Sequence, residues 1–216
     1  MPLPPPRRYR DERDLAAMLA LLEAGRAAQN GSYYVHTGDL KWWLFYPPLG
    51  AAYWDHIYLW DAPDQGRLPL GWALLDPGGE TFDVYTHPAL WGRPEASHML
   101  AWAEAALIDL ASAAGKDQVS MFWVTPEDAF RIGWLEGRGY RITAQSAALA
   151  RLLTGPIPPP APPEGFTIRP CRGLAEVEAR ARAQYAAFGS SAPFEQYVQR
   201  FAAFMQSPVM RDERGF

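Results

Sequence analysis

Six prolines crowd into the stretch Gly155-Pro-Ile-Pro-Pro-Pro-Ala-Pro-Pro-Glu-Gly165, and no other feature of the chain limits its fold as strongly. Proline fixes φ and lacks an N–H, so neither a helix interior nor a central strand can run through such a segment. Thr154 to Gly165 reads as a stiff, extended spacer. Its interior position favours a linker over a ligand for a proline-reading module. The chain therefore divides into residues 1–153 and 166–216, and each part needs a core of its own.

Hydrophobic periodicity supplies the elements of the first part. Asp11 and Asp14 precede Leu15, Met18, Leu19 and Leu22 at helical spacing, and Asn30-Gly31 stops that helix. A second helix is predicted over Thr37 to Phe45, ended by Pro47-Pro48. The period then changes to that of strands. Ile57 to Trp60 and Gly71 to Leu75 flank a turn-rich stretch, Asp61 to Pro69, and should pair antiparallel. Pro77-Gly78-Gly79 leads to a further strand, Thr81 to Thr86. Pro94 opens a long helix with Met99, Trp102, Ala103, Ala106 and Leu110 on its buried face, closed by Gly115. Val119 to Val124 lacks alternation, as expected of a strand covered on both faces. A short helix over Glu127 to Glu136 follows, and Arg141 to Leu153 is expected to give one or two final strands.

Beyond the linker the opening order returns. Thr167-Ile168-Arg169-Pro170-Cys171-Arg172 is similar to the Arg7-Arg8-Tyr9-Arg10 entry, and two helices follow. The first carries Val177, Ala181, Gln184 and Phe188, and the second Phe194, Tyr197, Val198, Phe201 and Met205. Strand, helix, helix thus occurs twice, which suggests an internal duplication whose second copy is partial.

Composition excludes several classes. A net charge of -4 weighs against a nucleic-acid or anionic-membrane surface. The Pro-rich, basic N-terminus has no apolar core of the secretory kind, and no apolar run reaches the ~20 residues of a membrane span, so the cytoplasm is the expected address. The single Cys171 allows no internal disulfide. His36, His56, His87 and His98 are dispersed, so no metal site is predicted. The glycine-rich and nucleophile-elbow signatures of nucleotide-binding proteins and hydrolases are absent.

The element order over residues 7–153, β-α-α-β-β-β-α-β-α-β, resembles the GNAT acetyltransferase superfamily, in particular its tandem two-domain members. The resemblance implies an α/β (α+β) fold, a mixed and mostly antiparallel central sheet flanked by helices, with residues 166–216 opening a second copy. It is carried by Val84-Tyr85-Thr86-His87-Pro88-Ala89-Leu90-Trp91-Gly92-Arg93-Pro94-Glu95-Ala96, and by Asp128 to Tyr140 with its Gly139-Tyr140 ending. In that family a helix start holds the pyrophosphate of acetyl-CoA, and the pantetheine arm adds to a strand edge like another strand. The resemblance implies that the backbones of Val84 and Thr86 meet pantetheine. It likewise implies that Gly92, Arg93, Ala96 and Ser97 surround the pyrophosphate. This sequence departs from the family pattern at Trp91, Pro94 and Glu95, and Leu135 stands where a proton-donating tyrosine is usual.

The activity so implied is transfer of an acetyl group from acetyl-CoA to the amine of a small-molecule acceptor. Asp83 and Glu80 are the candidate bases and Tyr85 the candidate acid. Tyr33, Tyr34, His36 and Trp42, from an unusually aromatic segment, are candidates for the acceptor wall. Two alternatives stay open. The first part can be a non-catalytic ligand-binding or domain-stabilising module. The helices after residue 166 can instead serve assembly, burying their apolar faces either on the first part or in a homodimer.

Overall fold

The computed structural model describes residues 3–29, 34–46, 53–64, 68–146 and 152–206. It contains two compact units, Met1–Tyr140 and Arg141–Phe216. Among the described residues there are one five-stranded mixed sheet and six α-helices. None of these helices is long and apolar enough to cross a membrane.

In the first unit β1 (Arg7–Arg8), β2 (Ile57–Trp60), β3 (Gly71–Leu75), β4 (Thr81–Thr86) and β5 (Ser120–Met121) lie side by side in chain order. The first four pair antiparallel, and β5 joins β4 in parallel. A parallel neighbour requires a crossover, and α3 (Pro94–Ala113) supplies it. Side-chain alternation sorts the sheet into two faces. Ile57, Leu59, Trp72, Leu74 and Tyr85 pack with Leu15, Met18, Leu21 and Leu22 of α1 (Glu12–Ala28) and with Leu40 and Leu44 of α2 (Thr37–Phe45). On the other face Trp60, Ala73, Leu75, Phe82 and Val84 meet Met99, Leu100, Ala103 and Leu107 of α3. Each large side chain buried this way contributes roughly 1.5–3 kcal/mol, so these two apolar layers hold the unit together.

Local chemistry fixes the ends. Asp11 caps α1, accepting from the Arg13 N–H at 2.8 Å, and Pro94 occupies the first turn of α3 where its missing N–H costs nothing. The Arg7 guanidinium grips Asp14 with two bonds of 2.7 Å and also reaches Asp61. This ties β1 to the start of α1. Gly79, in the β3–β4 turn, has φ +76°, and a Cβ there would lie 2.5 Å from Ala111 Cα. The turn and the end of α3 therefore approach at a distance only glycine permits.

Several expectations are corrected. The strand expected over Val119 to Val124 forms only at Ser120–Met121. It pairs at Thr81↔Ser120 and Phe82↔Met121 and then leaves β4, so four of the six expected residues have no ladder partner. The described residues between Arg141 and Leu153 carry no strand, and Ile142 and Leu153 are exposed. Burial on α3 also turns by one position: Leu100 and Leu107 are in the core, while Trp102, Ala106 and Leu110 pack only partly buried at its margin. On α1, Leu21 is buried and Leu19 lies at the rim.

The second unit contains α5 (Val177–Ala187) and α6 (Phe194–Met205) behind an extended segment. Ala181, Tyr197 and Phe201 are its buried apolar residues, with Tyr185 edge-on to both Phe194 and Tyr197. The expected opening strand at Thr167 to Arg172 is absent, since no described strand lies beside it to supply a ladder. Yet its end device repeats. Arg169 forks onto Glu176, whose carboxylate also accepts the Arg172 N–H. Arg7, Asp14 and the Arg10 N–H do the same in the first unit, with the same spacing.

Candidate functional site

The departure of β5 from β4 opens a cleft of about 260 Å³ in the first unit. Its walls are the free end of β4 (Val84, Tyr85, Thr86), the loop and first turn before and within α3 (Trp91, Gly92, Ala96), and the segment after β5 leading into α4 (Ala129–Glu136). Tyr34 and Gln29 close it from the α1–α2 side.

Backbone parity explains why the β4 wall is polar. His87 N–H donates to Leu70 O and Asp76 N–H to Thr81 O. Odd-numbered β4 residues therefore exchange their peptide bonds with β3. Even-numbered ones point the other way, where Glu80 O accepts from Ser120 N–H. Val84 and Thr86 then direct their N–H and C=O groups toward the cleft. The Trp91 indole N–H donates to Thr86 O at 3.2 Å.

Asp83 and Tyr85 project from the opposite face of β4, toward α1 and α2. Asp83 is buried, at 6% exposure, and its Oδ1 accepts the Tyr34 hydroxyl proton. Burial pushes its carboxyl up to about 7, although the Tyr34 hydrogen bond and the Arg131 charge both favour the ionised form. Burial and the nearby Asp83 charge raise the Tyr34 hydroxyl well above its usual value. Burial pushes Tyr85 to about 12. The Tyr34 and Tyr85 rings stack, 5.1 Å between centroids. The Tyr85 hydroxyl lies where a Cβ on Gly25 would stand, so that helical glycine makes room for it.

Arg131, 7% exposed, completes the group. Its position follows from the start of α4: Asp128 caps the helix by accepting the Arg131 N–H at 3.0 Å, and the same carboxylate accepts the Arg131 Nε–H at 3.0 Å. The guanidinium stands over the Tyr34 ring, 5.2 Å from its centroid. Its Nη1 is buried with no hydrogen-bond partner among the described residues. At the mouth, Trp123 is the one non-glycine residue with positive φ among those described, +59°, and its ring meets Trp43 at 5.6 Å. A bulky residue in that conformation carries a strain of order 1–3 kcal/mol, of the kind that gathers at binding sites.

Of the residues expected from sequence, Val84, Thr86, Gly92, Ala96, Tyr34 and Tyr85 line the cleft. Asp83 is not in its wall but behind Tyr34, joined to it by the hydroxyl. Glu80 lies elsewhere, exposed and paired with Lys116 Nζ at 2.5 Å. Arg93 and Ser97 are not in the lining, nor are His36 and Trp42. His36 caps α2 by accepting the Gly38 N–H at 3.0 Å, and Trp42 stacks on Tyr46. Tyr33 lies outside the described residues. The helix mouth offers few amides: Pro94 has none, and the Ala96 N–H is already given to Arg93 O. Arg131 and Trp123 were not singled out. The signal for the first was Asp128-x-x-Arg131, a helix cap followed one turn later by a cation.

Among the described residues no three His, Cys, Asp or Glu side chains converge as metal ligands. No family model, curated protein or solved structure matches the chain.

Proposed function

We propose that the first unit is a GNAT-like acyltransferase domain that binds acetyl-CoA in the β4–β5 cleft and transfers the acetyl group to a small-molecule amine. The observation that carries this reading is the parallel β4–β5 pair, closed at Thr81–Phe82 and open beyond, with α3 starting at its mouth. An extended pantetheine arm finds the outward N–H and C=O of Val84 as a strand partner. The amide of Tyr85 is spent on β3, so the Val84 or Thr86 N–H is the donor available to the oxyanion.

The acceptor must arrive as an ammonium and attack as an amine. Tyr34 is a group in the wall that can take up its proton, passing its own to Asp83 at Oδ1; the Glu127 and Asp128 carboxylates also line the cleft, the second engaged by Arg131. With a carboxyl near 7, Asp83 is ionised in a sizeable fraction of molecules at neutral pH and strong enough as a base to hold the proton. Asp83 therefore acts through Tyr34. Leu135 is buried in the core of the unit and supplies no proton to the departing thiolate.

A second reading, ligand binding without turnover, is favoured by the same mouth. Pro94 and the engaged Ala96 N–H leave little for a pyrophosphate, Glu95 adds a carboxylate to the first turn, and Trp91 occupies the Thr86 carbonyl. Calorimetric titration of the full chain with acetyl-CoA, followed by thiol release in the presence of mixed amines, separates the two. Saturable binding with thiol release supports the transferase, and binding without release supports the second reading. No heat at millimolar acetyl-CoA removes both as CoA proteins.

A further inference from the structure

We infer that the cleft is built to receive a carboxylate, taken by the guanidinium of Arg131. The site exists without any ligand: Arg131 is 7% exposed, its Nε–H is fixed on Asp128 Oδ2 at 3.0 Å, and its plane is steadied over Tyr34. Fixing one edge of a guanidinium leaves the remaining N–H groups aimed in a set direction, a fork matched to a carboxylate. The Nη1 protons have no partner among the described residues although the atom is buried. A buried donor without a partner is costly; Arg131 lines the cleft, and since Nη1 itself is closed to solvent, a ligand meets it by displacing the side chains that cover it. Asp128 contacts the cation, Asp83 lies within its field and Glu127 also lines the cleft, so an incoming carboxylate is held by the Arg131 fork against these neighbouring acids.

This inference deepens the transferase reading by naming a substrate class. Tyr34 carries the proton-accepting hydroxyl at one end of its ring and the guanidinium over its face. The hydroxyl and the guanidinium serve one ring, the cation 5.2 Å from its centroid, so an amine at the first and a carboxylate at the second can belong to one small molecule. A small amino acid is the acceptor that carries both groups. The same carboxylate recognition can be met by an acidic acyl chain on the donor, and the two sources are separable by experiment.

The test uses the full-length chain and tryptophan emission, since Trp91 and Trp123 both line the cleft. Glycine and β-alanine are titrated against glycinamide and β-alaninamide, and succinyl-CoA against acetyl-CoA. The expected result is that the amino acids bind at least about tenfold tighter than their amides. Arg131→Met should abolish that preference, and Arg131→Lys should retain part of it. A preference only for succinyl-CoA over acetyl-CoA, lost in the same variants, assigns the carboxylate to the donor and still supports the receptor. Equal affinity of each amino acid and its amide in the wild type, together with equal affinity for succinyl-CoA and acetyl-CoA, overturns the inference. So does a preference that survives Arg131→Met. Because the wild-type comparison needs no variant, an unfolded Arg131→Met chain does not spare the idea. Carboxylate binding with no response to either CoA would sink the transferase reading and leave the receptor standing.

Discussion

Replacing Asp83 by asparagine should make the protein more stable, and more so as the pH rises. The carboxyl ordinarily titrates at 3.8 and in the folded protein at about 7. Its folded value is raised, so below 3.8 both folded and unfolded forms hold the proton and burial of the group carries no charge cost. Between the two values only the folded form keeps the proton, and stability falls as pH rises, by 1.36 kcal/mol per unit. Above 7 the loss levels off at about 4 kcal/mol for the full difference. Asparagine never ionises and keeps an oxygen for the Tyr34 hydroxyl. Urea unfolding followed by tryptophan emission is the assay, because all nine tryptophans lie between Trp42 and Trp134 and so report on the first unit alone. With a slope of roughly 1–3 kcal/mol per molar urea, the variant's midpoint should exceed that of the wild type by about 1–4 M at pH 8, and the gap should close toward pH 4. A gap that does not change between pH 4 and 8 would refute the placement of Asp83 as a buried, proton-holding carboxyl.

Other consequences follow from single contacts. Gly79→Ala must strain a positive φ and push a methyl into the backbone of Ala111. It should lose about 1–3 kcal/mol in the same urea assay, whereas Gly139→Ala, with open space around it, should lose only the part due to its backbone angle. Met99→Ala empties a fully buried site between α3 and the sheet and should cost about 2–5 kcal/mol. If the transferase reading holds, the rate at saturating acceptor should climb through about pH 7 as Asp83 ionises, and Asp83→Asn should remove that limb of the profile. Gly25→Ala drives the Tyr85 hydroxyl out of its place against α1. It should weaken cleft binding by more than it lowers the unfolding midpoint, checked by titration and melting on the same sample.

The sheet is largely legible in the sequence. Strands β2, β3 and β4 carry patterns that only pairing explains, and Pro77-Gly78-Gly79 and Pro94 punctuate them by restricting the backbone directly. Legibility failed where an outcome depends on a neighbour. Val119 to Val124 has the composition of a buried strand, yet pairing stops after Met121, where the chain leaves β4 although β4 runs on to Thr86. The burial of Asp83 was equally hidden. Alternation placed it on the Tyr85 face, but whether that face meets water depends on Tyr34 arriving from a loop 49 residues away. Arg131 was missed for the opposite reason, since a surface helix commonly carries an arginine one turn after its cap. Only the third dimension shows that this one points inward.

The open end of β4 has a cost beyond the site itself. A strand rim offering peptide groups will accept any extended chain, including the same strand from a neighbouring molecule in a crowded solution. Two indoles stand guard over this rim: Trp91 occupies the Thr86 carbonyl, and Trp123 leans across the mouth against Trp43. Whatever fills the cleft would complete that protection, so the occupied protein should stay clear in long storage under conditions where the empty one turns cloudy.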